Sequence, residues 1–146
     1  MARVYISSVL DAPAAKVWSV VRDFNGLASW HPGVADSRIE DSAPADQIGC
    51  VRAFSLRNGA RLREQLLGLS DRDLFQTYSI LESPMPLTDY VATLRLTPIT
   101  DGDRTFIEWS AEFDCAPDAA ADLVEGIGGN VFQAGFDSLK RRFSAG

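Results

Sequence analysis

The stretch DAAADLVEGIGGNVFQAGFDSLKRRF, residues 118–143, decides the fold of this 146-residue chain. Its apolar residues recur at helical spacing; they are Leu123, Ile127, Val131, Phe132, Phe136, Leu139 and Phe143. Before it, residues 34–114 contain about six short runs that alternate between apolar and polar side chains, as β-strands do. A single long helix that follows an antiparallel meander buries its apolar stripe on the concave face of that meander, and such packing tends to leave a hollow.

The N-terminal part of the chain predicts one strand and two short helices. Residues 3–9 alternate as a strand. Asp11-Ala12-Pro13 has the composition of a helix start, with Asp11 as the N-cap and Pro13 in the first turn. Residues 24–30 predict a second, very short helix or turn, which His31-Pro32-Gly33 ends. We therefore expect an α+β fold in which a seven-stranded curved antiparallel sheet wraps around a long C-terminal helix.

The later strands have a predictable inner face, because side chains alternate from one face of a sheet to the other. The predicted strands cover residues 34–40, 49–56, 61–69, 74–82, 90–97 and 105–113. Their inward positions include three aromatic residues with polar groups, Tyr78, Tyr90 and Trp109. Aromatic side chains at such positions either fill a core or line a hollow, and both alternatives stay open.

Glu64 is the unusual residue of the predicted inner face. It lies between Leu62 and Leu66 on the same side of its strand, and a carboxylate in an apolar wall must be paired, hydrated or protonated. Glu64 is either a rim residue on a twisted sheet or a polar anchor inside a cavity that holds ligand or water. Arg52 is the natural partner, but the turn at Asn58-Gly59 decides whether it can reach.

Two registers of that hairpin are possible. A two- or four-residue turn places Ala53 opposite Glu64 and turns Arg52 to the other face. A three-residue turn with a glycine bulge places Phe54 opposite Glu64, with Arg52 diagonal to it.

Four glycines interrupt the predicted C-terminal helix, although each costs roughly 1 kcal/mol relative to alanine in a helix interior. They are Gly126, Gly128, Gly129 and Gly135. One explanation is a kink or a close contact with the sheet. The other is that the missing side chains leave volume for a ligand beneath the helix.

Composition excludes several classes of function. The net charge is −6 and the basic residues are scattered, which disfavours nucleic acid and anionic membrane surfaces as partners. No apolar run is long enough to cross a bilayer, and the first residues enter a strand rather than a signal peptide, so we expect a cytoplasmic protein. His31 is the only histidine, and Cys50 and Cys115 lie far apart, so we expect reduced, buried thiols and no metal site or cofactor.

Several short motifs are similar to those of the START-like helix-grip proteins, also called the SRPBCC or polyketide cyclase/dehydrase superfamily. They are Asp11-Ala12-Pro13 with Val17-Trp18, Asp23-Phe24, Trp30-His31-Pro32, Gly49-x-Val51-Arg52, Arg63-Glu64-x-Leu66 and the segment of residues 84–90. The resemblance covers essentially the whole chain and implies a single ligand-binding domain over residues 1–146. Members bind hydrophobic ligands, including lipids, between the long helix and the sheet, and some catalyse cyclisation or dehydration.

The pocket layout also resembles that of plant abscisic acid receptors. Glu64 matches the pocket glutamate of those receptors and Tyr90 the pocket tyrosine, while Asn58-Gly59 stands at their gate and residues 83–87 at their latch. The chain lacks the Ser-Gly-Leu-Pro-Ala gate, the Gly-Gly-Glu-His-Arg latch and a lysine near residues 32–36. The resemblance therefore implies a shared pocket layout and not hormone reception.

Three functions are compatible with the sequence. The first is binding or carriage of a small hydrophobic molecule in the cavity. The second is an enzyme of the cyclase, dehydratase or isomerase type that uses Glu64 as general acid or base, with Tyr78 or Tyr90, and also His31, as candidate assisting groups. The third is a protein-interaction role, as in the chaperone-activator branch of the superfamily. The expected ligand-binding residues are Trp30, His31, Arg52, Phe54, Glu64, Tyr78, Tyr90, Trp109, Ile127 and Val131.

Overall fold

The computed structural model describes residues 1–144. The strands are β1 (Ala2–Leu10), β2 (Val34–Ile39), β3 (Val51–Leu56), β4 (Arg61–Ser70), β5 (Phe75–Glu82), β6 (Leu87–Ile99) and β7 (Arg104–Cys115). The helices are α1 (Ala14–Val21), α2 (Leu27–Trp30), a 3-10 turn (Glu40–Ser42), α3 (Ala120–Gly126), a π-helix (Ile127–Gln133) and α4 (Ala134–Arg142). No helix in this part of the chain is long and apolar enough to cross a membrane.

The seven strands form one antiparallel sheet in the order β1-β7-β6-β5-β4-β3-β2. From β2 to β7 each strand pairs with the next in the chain, while β1 pairs with β7 at the far edge. The segment with α1 and α2 therefore carries the chain from one edge of the sheet to the other. The predicted α+β helix-grip arrangement, with two short helices between the first two strands, is confirmed.

The alternation of apolar and polar residues along the strands correctly predicted which side chains lie on the inner face of the sheet. Glu64 is buried, as are Tyr78, Tyr90 and Trp109. Strand β6 begins earlier than predicted, because a bulge between Thr88 and Val91 keeps the chain paired with β7 through a break in the alternation. The prediction of a buried thiol holds for Cys50, whereas Cys115 is half-buried; both are free.

The long helix was predicted, but its central π-helical turns were not. Apolar periodicity does not separate α from π geometry over seven residues. The buried side chains of the segment are Ile127, Phe132, Phe136, Leu139 and Phe143. They pack on the concave face of the sheet and join its inward residues in one hydrophobic core.

Two of the four glycines in the long helix, Gly128 and Gly135, lie close to side chains of other elements. A Cβ at Gly135 would lie 3.0 Å from Trp109 Cζ3, and one at Gly128 would lie 3.5 Å from Ile6 and Val4. Gly126 and Gly129 have no such neighbour within 4 Å. None of the four lines the cavity described below, so the structure favours contact with the sheet over ligand volume.

The predicted start of α1 was wrong by two residues. Pro13, with φ −61° and ψ 145°, is the N-cap residue, and no side chain caps this helix. Asp11 therefore does not cap α1. Pro13 can occupy the cap position because the extended region suits its ring and its carbonyl still accepts bonds from Lys16 and Val17.

Both registers considered for the β3–β4 hairpin were wrong. Arg52 lies directly opposite Glu64, and Phe54 lies opposite Leu62. Leu56 and Ala60 close a three-residue loop in which Gly59 has φ +92°, a conformation that favours glycine. A three-residue loop containing glycine was one of the two predicted turns, but the predicted register placed Phe54 opposite Glu64. In the structure Arg52 and Glu64 are instead direct cross-strand neighbours on the inward face.

Candidate functional site

A cavity of about 430 Å³ lies between the long helix and the concave face of the sheet. Its volume falls within the range of about 300–1,000 Å³ typical of small-molecule sites. Most of its wall is apolar, and the apolar lining side chains are Leu27, Val34, Phe54, Leu56, Leu62, Ile80, Pro84, Met85, Trp109, Ile127 and Val131.

A buried ion pair forms the polar part of the wall. Arg52 Nε and Nη2 donate to the same oxygen of Glu64, Oε1, at 2.9 and 2.7 Å. Arg52 Nη1 donates to the Phe24 carbonyl at 3.1 Å. The guanidinium also lies over the rings of Phe24 and Tyr78, with its Cζ 4.1 and 4.7 Å from their centroids. The Arg52 guanidinium is therefore fixed by hydrogen bonds at its edge and by aromatic rings over its plane.

The second oxygen of Glu64 is the unused acceptor of this pair. No described residue donates to Oε2, and it is not among the fully enclosed polar atoms of the described chain. Burial raises the pKa of the Glu64 carboxyl above its ordinary value, and the charge and hydrogen bonds of Arg52 act in the opposite direction. Glu64 thus offers one oxygen to the cavity.

Two tyrosines stand beside the ion pair. The Tyr78 hydroxyl accepts a hydrogen bond from Trp109 Nε1 at 3.1 Å, which leaves its own proton free to donate. The ring of Tyr90 lies beside that of Tyr78, with their centroids 6.4 Å apart. Burial raises the pKa of both phenols, so both remain protonated donors at neutral pH.

His31 connects the cavity wall to the π-helix. The Gly33 N–H donates to His31 Nδ1 at 3.0 Å, so the ring proton is on Nε2, which donates to the Val131 carbonyl at 2.7 Å. Burial is the largest effect that lowers the pKa of His31, and the charge of Arg52 adds to it, while the bond to Val131 opposes them. The neutral imidazole therefore fixes the helix against the segment that follows α2.

Four further polar residues, from three segments, also line the cavity. Arg57 and Asn58 come from the β3–β4 loop, Ser83 from the β5–β6 loop and Asn130 from the π-helix. Arg57 and Asn58 are exposed, and Arg57 Nε donates to the Pro32 carbonyl at 2.8 Å. These residues form a solvated mouth above the apolar interior.

The structure brings nine of the ten predicted ligand-binding residues into the cavity wall: His31, Arg52, Phe54, Glu64, Tyr78, Tyr90, Trp109, Ile127 and Val131. Trp30 is outside the wall and packs on His31 and Trp109, with ring centroids 6.0 and 5.8 Å away. Sequence reasoning missed Leu62 and Ile80 as lining residues, although their strand positions already placed them inward. Asn130 and Met85 carried no such signal.

No group of three histidine, cysteine or acidic side chains in residues 1–144 is arranged to hold a metal ion. The polar side-chain groups that line the cavity are one carboxylate, two guanidinium groups, two phenols, an imidazole, an indole N–H, a hydroxyl and two amides. This set suits hydrogen bonding and proton transfer.

The family model described as polyketide cyclase / dehydrase and lipid transport matches residues 1–144. No curated protein matches the chain. Among solved structures, a Thermobifida fusca protein determined by solution NMR is 32% identical, with a TM-score of 0.89 over 98% of this chain and 93% of that chain.

More distant structures share the fold alone. A START superfamily protein from Mycobacterium smegmatis is 12% identical with a TM-score of 0.78, covering 98% of this chain and 97% of that one. Ginseng major latex-like protein 151 from Panax ginseng is 9% identical with a TM-score of 0.79, over 98% and 97% of the two chains.

Proposed function

We propose that this chain, which belongs to the polyketide cyclase / dehydrase and lipid transport family, binds or carries a small hydrophobic molecule in the cavity between its long helix and its sheet. The observation that carries the proposal is the composition of the cavity wall. Eleven apolar side chains line a volume of about 430 Å³, and the buried polar side chains of Arg52, Glu64 and Tyr78 contact one another in its wall. An apolar molecule that leaves water for such a space gains roughly 25 cal/mol per Å² of apolar surface.

The experiment is native mass spectrometry of the full chain, purified without detergent and then incubated with small hydrophobic compounds. A mass increase that disappears on denaturation is the expected result. Ile127→Trp is the matched control, because Ile127 is buried and lines the cavity from the helix, so that the larger ring occupies ligand space. Binding that survives in Ile127→Trp would place the ligand elsewhere and contradict the proposal.

A second candidate function is proton-transfer catalysis of the cyclase or dehydratase type in the same cavity. The observation that favours it is that Arg52 holds one oxygen of Glu64 and leaves the other free. Oε2 could take a proton from a carbon or oxygen of a bound substrate, and Tyr78 could donate one to a developing oxyanion.

Glu64→Gln separates the two candidates. If a ligand is found that the wild-type chain converts, the variant should still bind it but lose turnover by about 10²–10⁴-fold, the usual contribution of a general acid or base. Turnover that is unchanged in the variant would remove Glu64 from the chemistry and contradict this second candidate, whereas a bound ligand that the wild-type chain does not convert leaves binding as the function.

A further inference from the structure

We propose that the cavity selects a neutral ligand that ends in a hydroxyl group, donated to Glu64 Oε2, and that it rejects carboxylates such as fatty acids. This inference rests on the proposed binding function and names the chemical class of its ligand. It is argued from the way in which the described residues already satisfy one another at the polar end of the cavity.

Arg52 is unavailable to an anionic ligand. Its Nε and Nη2 both donate to Glu64 Oε1, its Nη1 donates to the Phe24 carbonyl, and its flat faces are covered by Phe24 and Tyr78. The side chains of Arg52 and Glu64 are 3% and 7% exposed, so water does not screen them. Arg52 and Glu64 therefore form a closed, neutral pair in the wall, and the other lining cation, Arg57, is exposed to solvent and donates through Nε to the Pro32 carbonyl.

What remains open beside the ion pair is one carboxylate oxygen, and the Tyr78 ring packs against the same Arg52 guanidinium. Glu64 Oε2 accepts nothing from the described residues, and the Tyr78 hydroxyl keeps its proton after accepting from Trp109. A ligand hydroxyl would give its proton to Oε2 and receive one from a tyrosine, so both of its hydrogen-bonding functions would be used.

Other ligand ends leave a buried group unsatisfied. A carboxylate would bring a second negative charge against Oε2, and an ammonium would bring a second positive charge beside Arg52. An ether or ketone would accept from a tyrosine but leave Oε2 without a donor, and a buried unpaired acceptor is unfavourable. Sites built to bond a hydroxyl discriminate strongly against analogues that lack it.

The test is titration of the full chain at neutral pH with three probes of nearly the same shape: 2-naphthol, 2-methoxynaphthalene and 2-naphthoic acid. We expect 2-naphthol to bind at least about tenfold more tightly than the methyl ether, and the ionised acid to bind more weakly than both. Equal affinity for naphthol and its methyl ether, or tighter binding of the acid, would overturn the inference while leaving the proposed function standing. If none of the three binds, the proposed function fails, and the inference fails with it.

Two variants test whether the preference for a hydroxyl-bearing probe arises at Glu64. Glu64→Gln should reduce the naphthol-to-ether ratio to within about threefold, since an amide that replaces the carboxylate is a weaker acceptor. Tyr90→Phe leaves the ion pair intact and should weaken naphthol binding only modestly, so it serves as the folded comparison if Glu64→Gln does not fold. A ratio that stays unchanged in a folded Glu64→Gln protein would show that the hydroxyl is bound elsewhere, which contradicts the proposal. If Glu64→Gln is unfolded, the probe series on the wild-type chain decides alone.

Discussion

At the scale of single residues, the pair of Arg52 and Glu64 controls the chemistry of the cavity. Taking two charges out of water is costly, and the cost is offset only when the geometry is good and the remaining donors and acceptors find partners. Arg52 meets this condition through Glu64, the Phe24 carbonyl and two aromatic rings. Glu64 meets it through one oxygen only, and in the proposals above the other oxygen is assigned to the ligand.

Breaking the pair should be more damaging than removing it. Arg52→Met leaves an unpaired buried carboxylate, and we expect the free energy of unfolding to fall by about 3–5 kcal/mol. The double variant Arg52→Met/Glu64→Leu leaves no charge behind and should recover most of that loss. Urea denaturation of the three proteins measures the difference. A single variant that unfolds at the wild-type urea concentration would show that the pair contributes nothing to stability.

His31 should make the stability of the protein depend on pH below neutrality. Its pKa in the folded chain is lowered by burial and by Arg52, from an ordinary value of 6.5. Below about pH 6.5 the unfolded chain therefore binds a proton that the folded chain does not, so stability falls as the pH falls through this window. Above it the imidazole is neutral in both states and contributes no pH dependence.

The measurement is simple because the chain has one histidine. The chemical shift of the His31 ring C–H protons can be followed by NMR as the pH changes, and the midpoint of this titration in the folded protein should lie below pH 6.5. His31→Gln should lose the part of the pH dependence of unfolding that falls between this midpoint and 6.5. A midpoint at or above 6.5 would mean that the ring is solvated, contrary to its bonds to Val131 and Gly33.

At the scale of elements, the long helix packs tightly against three aromatic rings at Gly135. A Cβ at residue 135 would lie 3.0 Å from Trp109 Cζ3, 3.1 Å from Trp30 Cζ3 and 3.2 Å from His31 Cδ2. These three rings are buried against one another and have little room to move. We expect Gly135→Ala to lower the free energy of unfolding by about 1–3 kcal/mol, the usual effect of overpacking.

Gly129→Ala is the matched comparison for Gly135→Ala. It lies in the same helical segment, but no atom stands within 4 Å of its would-be Cβ. Alanine is favoured over glycine in helices, so Gly129→Ala should raise stability by up to about 1 kcal/mol. Thermal unfolding of both variants gives the test, and equal effects of the same sign would show that helix propensity, and not packing, governs this segment.

The elements also show which parts of the fold were predictable. Apolar residues recur every two positions in a half-buried strand and about every 3.6 positions in a helix, because one face of each element is buried. The inward positions of Glu64, Tyr78 and Trp109 and the existence of the long helix could therefore be predicted from the sequence. The π-helical turns and the N-cap at Pro13 depend on backbone hydrogen bonding, which leaves no periodic signal. The hairpin register depends on how Gly59 closes the loop, and one residue of register decides whether Arg52 meets Glu64.

The accuracy of the site prediction also depended on whether a residue lies in a regular element. Residues on strands were placed by alternation, and they reached the cavity wall. Trp30 was placed by its position in a short turn and instead packs behind the wall. Met85 comes from the β5–β6 loop, which has no regular period, and Asn130 is a polar residue outside the apolar stripe that predicted Ile127 and Val131 on the same helix.

At the scale of the whole molecule, the cavity and the core are built from the same elements. Ile127 and Trp109 belong to the hydrophobic core and also line the cavity, so a ligand would add to the core's own contacts. Any ligand that binds only the folded chain stabilises it by mass action, by about 2.7 kcal/mol when its free concentration is one hundred times Kd. For a chain of 146 residues this corresponds to a rise in Tm of roughly 5–11 °C.

We therefore expect 2-naphthol to raise the Tm of the wild-type chain in proportion to the logarithm of its concentration, and to leave the Tm of Ile127→Trp nearly unchanged. The binding should have a negative heat-capacity change, because apolar surface of the ligand and of the cavity wall leaves water together. Calorimetry at several temperatures gives both quantities. An equal shift in the two proteins would mean that the probe binds the outer surface, and a heat-capacity change near zero would mean that it does not enter the apolar interior.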